Sequence, residues 1–329
     1  MQYRKFPKSG EDISVLGFGA MGFAGWFGAI SDADCIKTLH YAMDRGVNFV
    51  DTARAYGESE RIVGAALRSW AGQKPFLATK VESLGPRSQF GMPLPVEQAF
   101  PKGHVTADCE RSLRAMGVES VDLIQLHLYW PTWGSSGYWM DELQALKQQG
   151  KVRFVGVSVP DHRSDMVLPL VTSGLIDSVQ TIVNIFDPLA LEVLAPICAQ
   201  NQVAVIARCI LDEGGLTGSL TRDVVFAEGD FRHGYFDKSI SRDWYIHKVD
   251  KLRQYVPGAA SSLAALALKF ATHSPEVTTA ITSMHVEQYA RTNIDALDEP
   301  RLSDELFETL RTSHRLIKNM NHVGHWDVA

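Results

Sequence analysis

An α/β fold, a closed (β/α)8 TIM barrel, is predicted by three features of the 329-residue sequence. Eight short apolar runs alternate with segments of helical period. These runs lack clean polar–apolar alternation, as expected of strands buried on both faces. Asp51, Lys80 and His127, all able to hold or move a proton, stand at the ends of successive runs. Parallel barrel strands present their carboxyl ends on one face, so these residues would converge there. A doubly wound sheet is the rival, and its dinucleotide fingerprint is poorly matched. Gly17-Phe18-Gly19-Ala20-Met21-Gly22 has the GxGxxG spacing, but Phe23, Trp26 and Phe27 follow where a helix should begin. The run therefore reads as a barrel strand leaving an aromatic loop over the site.

Residues 1–13 lack a long apolar period and turn at Lys8-Ser9-Gly10, which predicts a hairpin or arm closing one end of the fold. The first barrel strand is placed at residues 14–20. Ser31-Asp32 then starts a helix through Asp44, with Ile36, Leu39, His40 and Met43 at helical spacing and Gly46 beyond its end. The second strand, residues 48–51, precedes a helix over about 58–69. The remaining strands are predicted at residues 76–80, 121–126, 152–158, 178–183, 204–209 and 278–283. Three connections exceed the few residues usual between such elements: 82–103, with Pro86, Pro93 and Pro95; 129–138, rich in Trp and Gly; and 211–243. All leave strand carboxyl ends, so the barrel carries long loops at its C-terminal face as candidate substrate walls. An extra C-terminal helix is expected in the tail, about residues 300–329. With no linker and no low-complexity tract, residues 1–329 read as one domain.

The net charge of −6, with signs interspersed, argues against a nucleic-acid or anionic-membrane partner and for small molecules. Cys35, Cys109, Cys198 and Cys209 are far apart, without CxxC or Cys/His ligand spacing, so reduced thiols are expected and no metal or disulfide framework is indicated. Neither an apolar signal core nor a run near the ~18 apolar residues of a membrane span is present, which predicts a soluble, cytoplasmic protein. The oligomeric state stays open.

The chemistry centres on NFVDTARAYGESE, residues 48–60, where Tyr56 follows Asp51 by five residues. With Lys80 and His127 at the next strand ends, an acid, a phenol, an ammonium and an imidazole would meet on one face: a proton-transfer site. Taken singly, a buried histidine is usually a satisfied core residue and an Asp–Lys pair usually structural. The convergence of all four favours function.

The segments GFGAMG, GVNFVDTARAYGESERIVGAAL, FLATKV, SLRAMGVESVDLIQLH, KQQGKVRFVGVS and GGLTG resemble successive motifs of the aldo-keto reductases, over about residues 14–293. The resemblance implies a (β/α)8 barrel that binds a nicotinamide dinucleotide in extended form without a Rossmann fold. It also implies reversible NAD(P)-dependent reduction of an aldehyde or ketone to an alcohol. The residues fit that chemistry: negative charge develops on the carbonyl oxygen, which needs a proton donor and fixed positive or dipolar groups. Tyr56 is the natural donor. A free phenol titrates near pH ~10, and the Lys80 ammonium, held by Asp51, would bring donation closer to neutral pH. His127 can orient the carbonyl. Two other readings stay open: a redox-neutral epimerase or lyase that retains its NAD(P), and a non-catalytic nucleotide-sensing or channel-associated subunit.

For the cofactor, the resemblance points to Ser158 and Gln180 at the nicotinamide carboxamide, with Val159 where an asparagine is usual, and to Arg208 where an aromatic ring commonly stacks. A guanidinium can also stack. Gly22 and Asp51 fall in the same cofactor set. The loop containing Leu211, Gly214, Leu216 and Thr217 matches the segment that wraps the pyrophosphate, although Asp212 and Glu213 add no positive charge. The adenosine end falls at Ser283, His285, Tyr289 and Asn293. Ser283 and Tyr289 replace the basic residues that often clamp a 2′-phosphate, and His285 and Arg291 are the possible substitutes. NADPH is the family default, with NADH a serious possibility. Trp26, Phe27, Tyr129, Trp130 and Trp133 are candidate substrate walls, joined by His325 and Trp326 if the tail folds back.

Overall fold

Eight parallel strands hydrogen-bond in sequence and close on themselves in the computed structural model, which describes residues 1–85, 93–230, 232–238 and 241–316. A hairpin precedes them: β1 (Tyr3–Lys5) runs antiparallel to β2 (Asp12–Ser14), and the Phe6 carbonyl accepts from the amides of Ser9 and Gly10 to make the turn. The barrel strands are β3 (Leu16–Gly19), β4 (Phe49–Asp51), β5 (Phe76–Val81), β6 (Val121–Leu126), β7 (Val152–Ser158), β8 (Ser178–Ile182), β9 (Ala204–Arg208) and β10 (Val277–Ser283). Pairing of Ala280 with Leu16 closes the ring. Strand positions follow the sequence reading within a residue or two, and two of the differences have clear causes. Ser14 belongs to the hairpin, opposite Tyr3. Cys209, at φ 51, has left the β region and so lies outside β9.

The hairpin plugs the amino-terminal end. Phe6 and Ile13 are buried in a cluster with Phe49, Phe76 and Phe154, the Phe6 ring lying 5.0 Å from Phe76 and 4.7 Å from Phe154. This apolar floor leaves the polar residues to the other end of the strands.

Helix Asp32–Asp44 is capped by the Ser31 side chain, which accepts from Asp34 N, and it buries Cys35, Leu39, Ala42 and Met43, with Ile36 and His40 at the margin. Helix Ser59–Ser69 packs on helix His104–Met116 through Gly64, where a Cβ would fall 2.0 Å from the Met116 carbonyl oxygen. Gly64→Ala is therefore expected to destabilise the fold by about 1–3 kcal/mol or more. Gly258→Ala, where a Cβ would meet nothing within 4 Å, is the control and should leave the urea midpoint nearly unchanged.

The long connections carry structure of their own. Helix Val96–Ala99 lies in the first, a 3-10 turn Pro131–Trp133 in the second, and a 3-10 turn Gly215–Thr217 with helix Arg232–Lys238 in the third. The extra helix of the tail is Asp304–Ser313, and Leu316 N donates to the Phe186 carbonyl at 2.9 Å. His325 and Trp326 lie outside the described residues. Among the described residues, no helix is long and apolar enough to cross a membrane and no cluster of side chains could hold a metal ion.

Candidate active site

Asp51 ends β4 and Lys80 lies near the end of β5, and both side chains are buried. Lys80 Nζ stands 2.5 Å from Asp51 Oδ2 and donates to the Thr52 carbonyl at 2.8 Å. Gln180 Nε2 donates to the other Asp51 oxygen at 3.1 Å. Both carboxylate oxygens are thus occupied, which offsets the desolvation of a buried ion pair. Burial by itself would lower the Lys80 pKa, but Asp51 and Tyr56 outweigh it and the net shift is upward. The ammonium therefore persists at neutral pH, 5.0 Å from the centroid of the Tyr56 ring.

Tyr56 sits in a tight turn between β4 and helix Ser59–Ser69. Its amide donates to Ala53, its carbonyl accepts from Ser59, and Gly57 takes φ 51. Ser59 Oγ anchors the turn to the Ala20 carbonyl at 2.8 Å. The Tyr56 hydroxyl lies 3.5 Å from His127 Nε2, and Trp26 meets the ring edge-on with centroids 5.8 Å apart. From the sequence alone, Lys80 is expected to draw the phenol toward neutral pH. Lys80 does pull in that direction, but burial is the larger effect and the net shift is upward. The phenol accordingly stays protonated across neutral pH, loaded as a donor.

His127 follows β6, its amide bonded to the Val81 carbonyl at 2.9 Å and its Nδ1 contacting Glu82 Oε1. Glu82 was missed at the sequence level. Its signal was available: it follows β5 with the parity of Phe76, Ala78 and Lys80, and alternate strand residues share a face.

Ser158 and Gln180 are buried at the ends of β7 and within β8, and Val159 N donates to the Gln180 carbonyl at 3.1 Å. Arg208 ends β9. One guanidinium nitrogen donates to the Val159 carbonyl at 2.9 Å and to Asp161 Oδ1 at 2.7 Å, while its buried Nε has no partner. Burial opposes the charge, but Asp161 and Cys209 override it and hold the guanidinium protonated. In the following loop, Gly214 takes φ 90, and the Gly214 and Leu216 amides both bond the Leu211 carbonyl. Thr217 Oγ1 turns inward to the Gly214 carbonyl at 2.6 Å. Asp212 is buried and accepts from the hydroxyls of Tyr235 and Tyr245, each at 2.7 Å, so its carboxylate is engaged by the protein.

At the end of β10, Ser283 Oγ lies 3.0 Å from His285 Nδ1, and a Cβ on Gly22 would fall 2.5 Å from that Oγ. Gly22 thus lets the first loop rest on this cluster. Burial, and then Arg232, push the His285 pKa down to about 4, so the ring is neutral at neutral pH. Arg291 is bonded to Glu287 at 3.3 Å and lies over the Tyr41 ring. The two substitutes considered for a phosphate clamp are therefore a neutral ring and an engaged guanidinium. Tyr289 is half exposed and edge-on to His285, and Asn293 is buried. Arg232, which sequence reasoning also missed, stacks on Phe27 and Phe226 and pairs with Asp230 at 2.6 Å.

The aromatic candidates separate. Trp26 lies on Tyr56, whereas Phe27 stacks on His285 with centroids 5.4 Å apart. Tyr129 is buried with its hydroxyl on the Gly134 carbonyl, Trp133 donates to the Leu94 carbonyl, and Trp130 packs half-buried against the core. The last three fasten loops.

The pattern of the Aldo/keto reductase family matches residues 15–314. The NADH-specific methylglyoxal reductase of Escherichia coli is 26% identical over 314 residues, covering 90% of this chain and 94% of that protein. A probable aldo-keto reductase of Glycine max is 30% identical over 221 residues, 65% of this chain and 60% of its own length. The fold is shared with the glycerol dehydrogenase of Gluconobacter oxydans, at a TM-score of 0.75, 24% identity and coverage of 95% and 96% of the two chains. A Bacillus halodurans aldo-keto reductase in its holo form also has a TM-score of 0.75, at 23% identity over 98% and 99%. The chain is an NAD(P)H-dependent oxidoreductase for carbonyl compounds, using NADPH or NADH. With the family pattern running almost from end to end, it belongs to the aldo/keto reductase family.

Proposed function

We propose that Tyr56 is the proton donor in this reduction, with Lys80 stabilising the phenolate it leaves, His127 orienting the carbonyl and Asp51 fixing Lys80. The supporting observation is the buried Lys80 ammonium, 2.5 Å from Asp51 and 5.0 Å from the Tyr56 ring. Placed there in advance, the charge needs no reorganisation when the phenol loses its proton. The nicotinamide supplies the hydride when bound. Ser158, Gln180 and Arg208 are proposed to hold its carboxamide end, and the buried, partnerless Arg208 Nε is a donor that suits an acceptor there. Leu211, Gly214, Leu216 and Thr217 would follow the pyrophosphate, and Gly22, Ser283, His285, Tyr289 and Asn293 the adenosine. No observation favours the redox-neutral or sensor readings.

The substrate is proposed to be a small aldehyde or ketone, since Trp26 closes on Tyr56 and a relative that this chain resembles along most of its length is named for methylglyoxal. The test is a carbonyl panel that includes methylglyoxal, run with each dinucleotide and read as cofactor oxidation. The four free cysteines support a reducing, cytoplasmic location.

NADH is proposed to serve about as well as NADPH, or better. His285 is neutral, Arg291 is paired with Glu287, and Arg232, the cation nearest His285, is paired with Asp230, so no unpaired cation among these three is offered to a 2′-phosphate. In titrations at fixed ionic strength, the Kd of NADPH is expected within about tenfold of that of NADH, or above it. A preference for NADPH beyond about 10³-fold, or about 4 kcal/mol, would mean that the phosphate is clamped elsewhere.

A further inference from the structure

We propose that Glu82 is a positioning residue for this reaction: it sets the charge and tautomer of His127, and so decides whether Nε2 of that ring donates or accepts. The proposal rests on the carbonyl-reductase reading for its purpose, although the coupling between the two side chains can be measured without turnover. Glu82 Oε1 meets Nδ1 of His127, and Nε2 of the same ring faces the Tyr56 hydroxyl at 3.5 Å. Both backbones are anchored. The His127 amide bonds the Val81 carbonyl at 2.9 Å, the Glu82 amide bonds Asp108 Oδ2 at 3.1 Å, and the Glu82 carbonyl lies 2.7 Å from His104 Nε2. The two side chains are 21% and 18% exposed, open enough to exchange protons with water and enclosed enough for their mutual charge to matter.

A count of protons gives the consequence. When the pair holds two, as imidazolium with carboxylate or as imidazole with carboxylic acid, Nε2 bears a hydrogen and can donate to a carbonyl oxygen on which charge is growing. When it holds one, that proton lies between Nδ1 and Oε1, and Nε2 is a bare lone pair. It then accepts from the Tyr56 hydroxyl and competes for the proton that the substrate needs. Reduction therefore uses the two-proton state, and the Glu82 carboxylate extends that state to higher pH by favouring the imidazolium. Among the described residues, the titratable groups next to the pair are Tyr56 on the site side, with Lys80 behind it, and His104 and Asp108 on helix His104–Met116. Arg54 follows β4 and pairs with Glu60 at 3.3 Å and Asp108 at 3.7 Å. Glu82→Gln removes none of these.

The experiment follows the imidazole nitrogens of His127 by NMR against pH in the full chain with isotope-labelled histidine, the signal being assigned by its loss in His127→Asn. In Glu82→Gln the midpoint is expected to fall by about one pH unit or more, the size of shift that a neighbouring carboxylate produces. The alkaline limb of kcat/KM for reduction should move down with it, while the Kd for NADH stays unchanged. Glu82→Asp keeps a carboxylate and should titrate above the glutamine variant. A midpoint in Glu82→Gln equal to the parent's, or Asp and Gln variants that titrate alike, would overturn the proposal. A shifted midpoint in a protein that turns over no carbonyl would uphold the coupling and count against the proposed function.

Discussion

Tyr56→Phe is expected to lower kcat/KM for carbonyl reduction by at least about 10²-fold, the loss typical of a general acid, while dinucleotide binding is retained. The two side chains differ only in the hydroxyl, and the ring contacts to Trp26 and His127 would survive the change. What is lost is a donor that burial keeps protonated and that Lys80, 5.0 Å from the ring centroid, helps to ionise. The measurement is a steady-state comparison on one aldehyde alongside a fluorescence titration with NADH. Near-normal turnover would remove Tyr56 from the role.

Lys80→Met should suppress reduction by a comparable factor, about 10²-fold or more, because the phenolate left by proton donation would form without its neighbouring cation. It should also destabilise the fold by about 3–5 kcal/mol, since Asp51 would remain buried beside Thr52 and Gln180 with no counter-charge. The pH dependence has a definite sign. The folded pKa of Lys80 is raised, so its contribution is fully present below the ordinary lysine range and is lost only as pH rises through the higher folded value. The parent's gain from Lys80 should thus hold across neutral pH and fall only in strongly alkaline solution, while the variant's deficit in urea unfolding should also shrink toward acid pH as the unpaired Asp51 takes up a proton. A deficit that vanished near pH 7 would show that Asp51 and Lys80 are not charged together in the fold.

Much of the barrel is legible in the sequence because a strand buried on both faces is a short, continuous apolar run, and such runs recur between helical segments. Asp51, Lys80 and His127 are legible for a related reason: each is a polar residue where an apolar run stops, and strand ends in a parallel barrel share a face. What escaped depends on packing between segments distant in the chain. His285 looks in sequence like a possible cation, yet burial and Arg232 make it neutral. Phe27 is one residue from Trp26, but stacks on His285 while Trp26 closes on Tyr56. Asp212 adds no positive charge for a pyrophosphate, and only the fold shows that Tyr235 and Tyr245 bind its carboxylate. Glu82 is the exception, since the parity of β5 places it on the face of Lys80 without any tertiary information.

The most direct test of the account is the fate of the hydride. Dinucleotide deuterated at the nicotinamide transfer position is supplied with an aldehyde, and the alcohol is analysed by mass spectrometry in the parent and in Tyr56→Phe. The expected result is one deuterium on the former carbonyl carbon of each alcohol formed by the parent, one dinucleotide oxidised per alcohol, and at least about 10²-fold slower formation of the same labelled product by the variant. Product formed without deuterium and without net dinucleotide oxidation would contradict hydride reduction and favour a redox-neutral reaction on a retained cofactor.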